Sequence, residues 1–425
     1  MIPLADARQS VLGQIEVLPV HTVALADAVG CVLGEAVVAV EPIPSFTNSA
    51  MDGYAVRASD TASAPVQLQE VGTILAGDTP SCTVEPGQAV RIMTGAALPP
   101  GADAICMVEL TRPGDGGTVV IEAAVEAGQH VRYPGEDVPA GSTVFEPGSV
   151  ITPAAVGVLA SLGADQVSVH RRPRVGVLST GDELADTPGP LPVGKIRDSN
   201  RPGLLATLAA DGCTAIDLGH IDDDEALLVK AFDNASSSCD AVITSGGVSV
   251  GDRDIVRMVL ETLGGPQMQW MQVAIKPAKP FAFGRIGSGA TPVFGLPGNP
   301  VSALVSYELF VRPALRAMAG HRRLDRPVVR AATTTAMRRQ PDGKLHLQRA
   351  LLTAGDDGRL LATPAEGQAS HQLRALAEAN GLALLPDGTG VDAGEDVAVV
   401  ILDASRVVPP GAFGLGPGYA LAPTW

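Results

Sequence analysis

From Arg174 to Met318 the chain repeats one pattern. A short β-branched run is followed by a turn of small, hydroxyl and acidic residues, then by a helical spacing of apolar side chains. The runs are Val175–Leu178, Thr214–Leu218, Ala241–Ile243 and Val293–Leu296, and the helical stretches are Arg201–Asp211, Ala226–Asn234, Ile255–Leu263 and Ala303–Met318. Strands alternating with helices at this spacing predict a parallel α/β sheet with both faces covered. Such sheets take ligands at the carboxyl ends of their strands. The turns Ser179–Glu183, Asp222–Glu225 and Ser245–Asp254 each follow a strand, so they should converge on one edge, and Val293–Ser302 reads as a further strand-to-helix turn.

The turn after Ala241–Ile243 is the most informative. Ser245-Gly246-Gly247 lets the backbone turn sharply and lets a ligand approach it closely. Strand, glycine turn and helix is the geometry that aims N–H groups at a phosphate. Asp252 and Asp254 stand where that turn enters its helix. An Asp so placed can cap the helix. The pair can equally hold a hydrated Mg²⁺ beside a phosphate, since hard cations take carboxylate oxygens.

Lys276-Pro277-Ala278-Lys279-Pro280 holds two lysines three residues apart, each followed by a proline that keeps the segment out of a helix. Two restrained cations repel unless an anion or flanking acids compensate them. The buried run Phe281–Phe283 follows at once, which argues against a purely solvated surface role.

Outside this region the texture changes. Leu4–Leu18 has the apolar spacing of an amphipathic helix. Val66 to about Val138 reads as short strands separated by Gly and Pro turns, as does Pro327–Ile401. The Asn48-Ser49-Ala50-Met51-Asp52 loop leads into the strand Tyr54–Val56. It is either a plain connection or a dense cluster of ligand-contacting groups. Thr94, in the Met93-Thr94-Gly95 turn, could cap that turn or present its hydroxyl to a ligand. Thr152-Pro153 marks a helix start, with Thr as N-cap and Pro at the first position.

Composition narrows the function. A length of 425 residues predicts two to four domains. The net charge of −16 makes nucleic acid an unlikely partner. Local cations in an acidic chain suit an enzyme that binds anions. The five cysteines, Cys31, Cys82, Cys106, Cys213 and Cys239, form no CxxC pair, which argues against a zinc site or a disulfide framework. No apolar run reaches 18 residues, and the N-terminus lacks the apolar core of a signal peptide. A cytoplasmic protein with no membrane partner is expected.

Six stretches in order carry a resemblance. NSAMDGYAVR (48–57), RIMTGA with PPGADAI (91–105), LSTGDEL (178–184), SGGVSVGDRD (245–254), KPAKPFAFG (276–284) and GLPGNPVSA (295–303) together resemble the MoeA/gephyrin E-domain family of molybdopterin molybdenumtransferases. The resemblance implies a multidomain α/β plus β protein. Residues 1–45 and 140–172 would form an elongated split domain, 46–139 an inserted β domain, and 173–322 an α/β domain like molybdopterin adenylyltransferase. Residues 323–405 would form a C-terminal β-barrel and 406–425 a flexible tail.

It also implies a homodimer whose cleft lies between the α/β domain of one subunit and the β domain of the other. The implied reaction inserts molybdate into adenylylated molybdopterin, with Mg²⁺, and releases AMP. Molybdopterin adenylyltransferase would be an upstream partner. On this resemblance Asp52, Thr94, Glu183, Asp254, Lys276 and Lys279 are the expected catalytic residues. Asp222, Asp252 and Asp254 would hold Mg²⁺. Ser179, Thr180, Gly181, Asp182, Ser245, Gly246, Gly247 and Ser249 would bind the pterin phosphate, as would Gly298, Asn299 and Pro300. Ser302 and Ser370 are further anion-site candidates. Two departures stand out. Gln272 in Trp270-Met271-Gln272 replaces a basic residue common in relatives, and Asp252 replaces a Glu. The competing readings are a binding or scaffolding protein on the same fold, and a nucleotide pyrophosphatase sharing only the α/β domain.

Overall fold

The computed structural model describes residues 1–185, 188–247, 255–355 and 357–407. Ser249, Asp252, Asp254 and the tail from 408 onward lie outside the described residues. The chain forms two compact units. One comprises Met1–His21, Gly30–Val32 and the chain from His170 onward, and the other Thr22–Val29 and Leu33–Val169.

The first unit is built on a six-stranded sheet in the order Thr214–Ile221, Arg174–Thr180, Ala241–Ser245, Thr291–Leu296, Pro280–Ile286, Gln269–Gln272. The first four strands run parallel. The last two are antiparallel to their neighbours. The short link between Ile286 and Thr291 accounts for this change, because a few residues can close a hairpin but cannot make a crossover. Alternation along the central strands sends Ala241 and Ile243 into the core on one face, and Val242 into the core on the other. Ala241–Ser245 is therefore buried throughout, as a strand covered on both faces must be. On the first face Phe281 stacks on Phe310 with centroids 4.2 Å apart, each ring buried to a gain of roughly 1.5–3 kcal/mol.

Several boundaries differ from the sequence expectation. The N-terminal helix is Leu4–Leu12 and stops at Gly13. Ile15 and Leu18 still pack on the core from the extended segment that follows, and the Leu18 N–H donates to the Met318 carbonyl. The apolar spacing thus continued past the helix. Ser179, Thr180 and Ser245 lie inside strands, not in the turns after them. The helix expected at Ala303–Met318 begins at Pro300 and opens into a π-helical turn at Tyr307–Val311 before Arg312–Met318. Pro313 has no N–H to continue regular bonding there.

C-terminal strands Val328–Thr333, Leu345–Ala354, Leu360–Pro364, Gly381–Leu385 and Asp396–Ile401 close on themselves as a five-stranded barrel. Leu360–Pro364 was not anticipated. The two-residue strand Ile275–Lys276 adds to this barrel, pairing parallel with Leu345 and His346.

In the second unit a six-stranded sheet has the order Ala104–Met107, Gly53–Val56, Gln88–Ile92, Val66–Ile74, Thr118–Ile121, Thr111–Pro113. Its helix Pro153–Ser161 starts as expected, with the Thr152 hydroxyl accepting the Ala155 N–H at 3.1 Å. Among the described residues no helix is long and apolar enough to cross a membrane.

Candidate functional site

In the first unit the four parallel strands end on one edge, which sets the turn at Gly298 beside the turns expected there. Asn200 ties two of them. Its Nδ2 donates to the Ser245 hydroxyl at 2.7 Å and to the Gly298 carbonyl at 2.8 Å. Asn200 opens the helix Asn200–Ala210, and nothing in its local sequence marks it as a link between turns. The start of that helix is capped by Asp198, not by the residue next to it. Ser199 makes no side-chain bond, and the Asp198 carboxylate accepts the N–H groups of Asn200 and Arg201. Arg201, 8% exposed, is held by Asp198 and by both oxygens of Asp217 at 2.7 Å.

Gly246 adopts φ +99°, and a Cβ there would stand 2.9 Å from the Thr180 carbonyl oxygen. Its N–H donates to the Leu296 carbonyl at 3.1 Å. A side chain would break this junction of three strands. Ser179 and Thr244 bury hydroxyls that have no hydrogen-bond partner among the described residues.

The acidic side of this edge is exposed. Asp182, Glu183, Asp222 and Asp223 are all open to solvent. The Asp223 carboxyl is pushed up, first by desolvation and then by the charges of Asp182 and Glu183. Its N–H reaches the Asp182 carboxylate at 3.5 Å. The donors are oxygens only, the set a hard divalent cation takes. Among the described residues no group of three His, Cys, Asp or Glu is arranged to hold a metal, and Asp252 and Asp254 fall outside them.

The two lysines open onto a cleft of about 720 Å³. Ile275 and Ala278 are buried while Lys276 and Lys279 are exposed, so the backbone is anchored and the ammonium groups project. Neither lysine forms an ion pair among the described residues. Asn299, Ser302 and Ser370 line the same cleft, whereas Gly298 and Pro300 do not. The Val301 N–H donates to the Ser370 carbonyl at 3.0 Å and fixes that loop to the start of the helix.

The far wall, absent from the sequence reading, comes from the barrel: Arg338, Arg339, Asp342, Lys344 and His346. Arg349 supports it from inside. Its buried guanidinium donates to the Gly367 and Ala369 carbonyls, just before Ser370. The sequence shows only a short alternating run at Leu345–Leu352, and that cannot say which strand lies against Lys276.

In the second unit Asp52 precedes one strand and Thr94 follows its antiparallel neighbour, with Gly53 opposite Ile92. The pairing delivers both to the same end of the sheet. The Thr94 N–H and hydroxyl both donate to Asp52 Oδ1, at 2.7 and 2.8 Å. These two bonds, backbone first, hold the Asp52 carboxyl below the usual range, and Arg91 adds to them. Gly53 is required by contact: a Cβ would stand 2.0 Å from the Cys106 carbonyl oxygen.

Asn48 is 5% exposed, and its Oδ1 has no partner among the described residues. It lines a second cavity, of about 450 Å³, with Arg132, Glu136 and Asp137. These three residues were also missed. Their signal was the charged Arg132–Asp137 turn, whose strand partner is Asn48.

A sheet with ligand turns at its carboxyl edge and a cationic cleft shared with a closed barrel defines an α/β enzyme that handles anionic small molecules. Comparison with known proteins narrows this. Residues 2–163 match the family described as MoeA N-terminal region (domain I and II). Residues 176–317 match the "Probable molybdopterin binding domain" family, and 331–402 match MoeA C-terminal region (domain IV). The chain is 39% identical to the molybdopterin molybdenumtransferase of Haemophilus influenzae, over 94% of this chain and 98% of that protein. It is 43% identical to molybdopterin molybdenumtransferase 2 of Mycobacterium tuberculosis, over 86% of this chain and 91% of that one. The crystal structure of the molybdopterin biosynthesis MoeA protein from Pyrococcus horikoshii superposes with a TM-score of 0.80 at 28% identity, covering 94% of this chain and 100% of that one. The chain belongs to the MoeA family of molybdopterin molybdenumtransferases; it is an enzyme with a role in molybdenum cofactor biosynthesis.

Proposed function

We propose that this enzyme inserts molybdate into adenylylated molybdopterin and releases AMP. The observation that carries the reading is the cleft in which Lys276 and Lys279 project beside Asn299, Ser302 and Ser370. Unpaired ammonium groups next to hydroxyl and amide groups suit a tetrahedral oxyanion. Cleaving a phosphoanhydride asks for positioning and charge neutralisation more than for covalent chemistry.

The roles follow from the positions. Lys276 and Lys279 bind the oxyanion. The segments Ser179–Asp182 and Ser245–Gly247 cradle the pterin phosphate, and Asn200 ties the second of them to the turn at Gly298. Asp52, kept ionised by Thr94, accepts a hydrogen bond or a proton from substrate or water, and Glu183 orients substrate. Asp222 would hold Mg²⁺ with Asp252 and Asp254, and the crowding of Asp223 by Asp182 and Glu183 is a charge that a cation nearby would relieve. When bound, the ion supplies charge neutralisation to the phosphates. We further propose a homodimer in which Asp52 and Thr94 of one subunit complete the cleft of the other.

The test is turnover by the purified full chain with adenylylated molybdopterin, molybdate and Mg²⁺. Stoichiometric AMP, together with a product that activates a cofactor-free molybdoenzyme, is the expected result. Stable retention of the pterin with no AMP release would instead support a binding or scaffolding protein.

A further inference from the structure

The barrel wall of the cleft carries cations that the proposed roles leave unused. Lys344, Arg338 and Arg339 line it with Lys276 and Lys279, against one lining carboxylate, Asp342. The chain as a whole has a net charge of −16, so this concentration of positive charge is local.

The three barrel cations differ. Arg339 has a side chain only 1% exposed and is consumed by the carbonyls of Lys344, Leu385 and Pro386 and by Asp342 and Asp387. Arg338 pairs with Asp392. Lys344 is the one poised for a ligand. A fifth of its side chain is exposed, and its ammonium makes one contact among the described residues, 2.8 Å to Asp342 Oδ2. An ammonium has three donors, so two remain for the cleft.

Asp342 is itself fixed. Arg339 donates to its Oδ1 at 2.8 Å, and His346 Nε2 stands 3.1 and 3.2 Å from its two oxygens. Two carboxylate oxygens can only accept, so His346 Nε2 carries the proton. His346 in turn sits opposite Lys276 in the short parallel pairing that joins the two walls. A cleft of about 720 Å³ lies in the range of pockets that hold a whole organic ligand, roughly 300–1,000 Å³, and far exceeds one tetraoxoanion.

We propose that Lys344, positioned by Asp342 and His346, forms a second anion subsite of this cleft that takes a phosphate of the nucleotide-bearing substrate, while Lys276 and Lys279 take the inorganic oxyanion. This subsite rests on the reading of the substrate as an adenylylated pterin. Both ligands are tetrahedral oxyanions, so the experiment separates their sources.

The full chain is titrated with AMP and, separately, with molybdate. Lys344→Met should weaken AMP about tenfold, the loss of roughly one charge-assisted hydrogen bond, and leave molybdate affinity unchanged. Lys344→Arg should restore AMP binding. Asp342→Asn should weaken AMP as well, and the double variant Asp342→Asn/Lys344→Met should be no worse than Lys344→Met alone, because both act through one ammonium. A merely structural role for Asp342 would give additive losses. Melting temperatures accompany every titration, and Lys344→Gln replaces Lys344→Met if the latter melts early. Unchanged AMP affinity in the folded variant overturns the subsite, and so does an equal loss of molybdate binding. A wild-type chain that binds both ligands but releases no AMP in turnover would overturn the proposed reaction and leave the subsite standing.

Discussion

Thr94 gives both its N–H and its hydroxyl to a single oxygen of Asp52, at 2.7 and 2.8 Å. The second oxygen of that exposed carboxylate remains available for substrate. The arrangement fixes the direction of the group and favours its charged form. Thr94→Val keeps the backbone bond and removes the hydroxyl. The Asp52 pKa should then rise toward its ordinary value, and the acid limb of the pH–rate profile should move upward. Asp52→Asn should lower kcat by about a hundredfold or more if the carboxylate acts as a base, with KM and melting temperature little changed. If the cleft is completed across subunits, mixing Asp52→Asn with Lys276→Ala should recover activity that neither variant has alone. A profile unmoved by Thr94→Val would show that Asp52 does not titrate in turnover.

Asn200 links the turn at Ser245 to the one at Gly298 through two hydrogen bonds from a single amide. Asn200→Ala removes both, at about 1 kcal/mol each. The expected outcome is a modest fall in melting temperature and a rise in KM for the pterin substrate larger than any fall in kcat. Equal losses of kcat and kcat/KM would place Asn200 in the chemical step.

His321 makes a pH-dependent contribution to stability. Burial first, then Arg316 and Arg312, lowers its pKa from 6.5 to about 4. Its ring Nδ1 stands 3.2 Å from Arg316 Nη2, a contact only the neutral ring can accept. The folded protein therefore resists protonation that the unfolded chain takes up. Stability should fall as pH drops from about 6.5 toward 4, because the unfolded state binds more protons in that window. Denaturant melts of His321→Gln should show a shallower slope across that window. An identical slope would contradict the assignment.

Much of the candidate site was legible in the sequence because it is written in local grammar. A β-branched run followed by glycine and hydroxyl residues is read from neighbours alone. For that reason the turns holding Gly246, Asn299 and Ser302 could be named in advance, whereas the strand pairing that brings Asp52 to Thr94 could not. What escaped was non-local. Lys344 and His346 sit on a period-2 barrel strand, and nothing near them says that Ile275–Lys276 will pair there. Arg132 and Asp137 were hidden for the same reason, since Asn48 is their neighbour only through strand pairing. Local grammar also overshot at Leu4–Leu18, where Ile15 and Leu18 keep packing after the helix has ended.

The ammonium groups of Lys276 and Lys279 project into one cleft, and neither forms an ion pair among the described residues. Calorimetric titration of the folded chain with molybdate, comparing the wild type with Lys276→Ala/Lys279→Ala, tests this most directly. The two lost charges should weaken binding by about a hundredfold, some 1.4 kcal/mol for each lysine, with the melting temperature preserved. Molybdate binding that is as tight in the double variant as in the wild type would contradict the account.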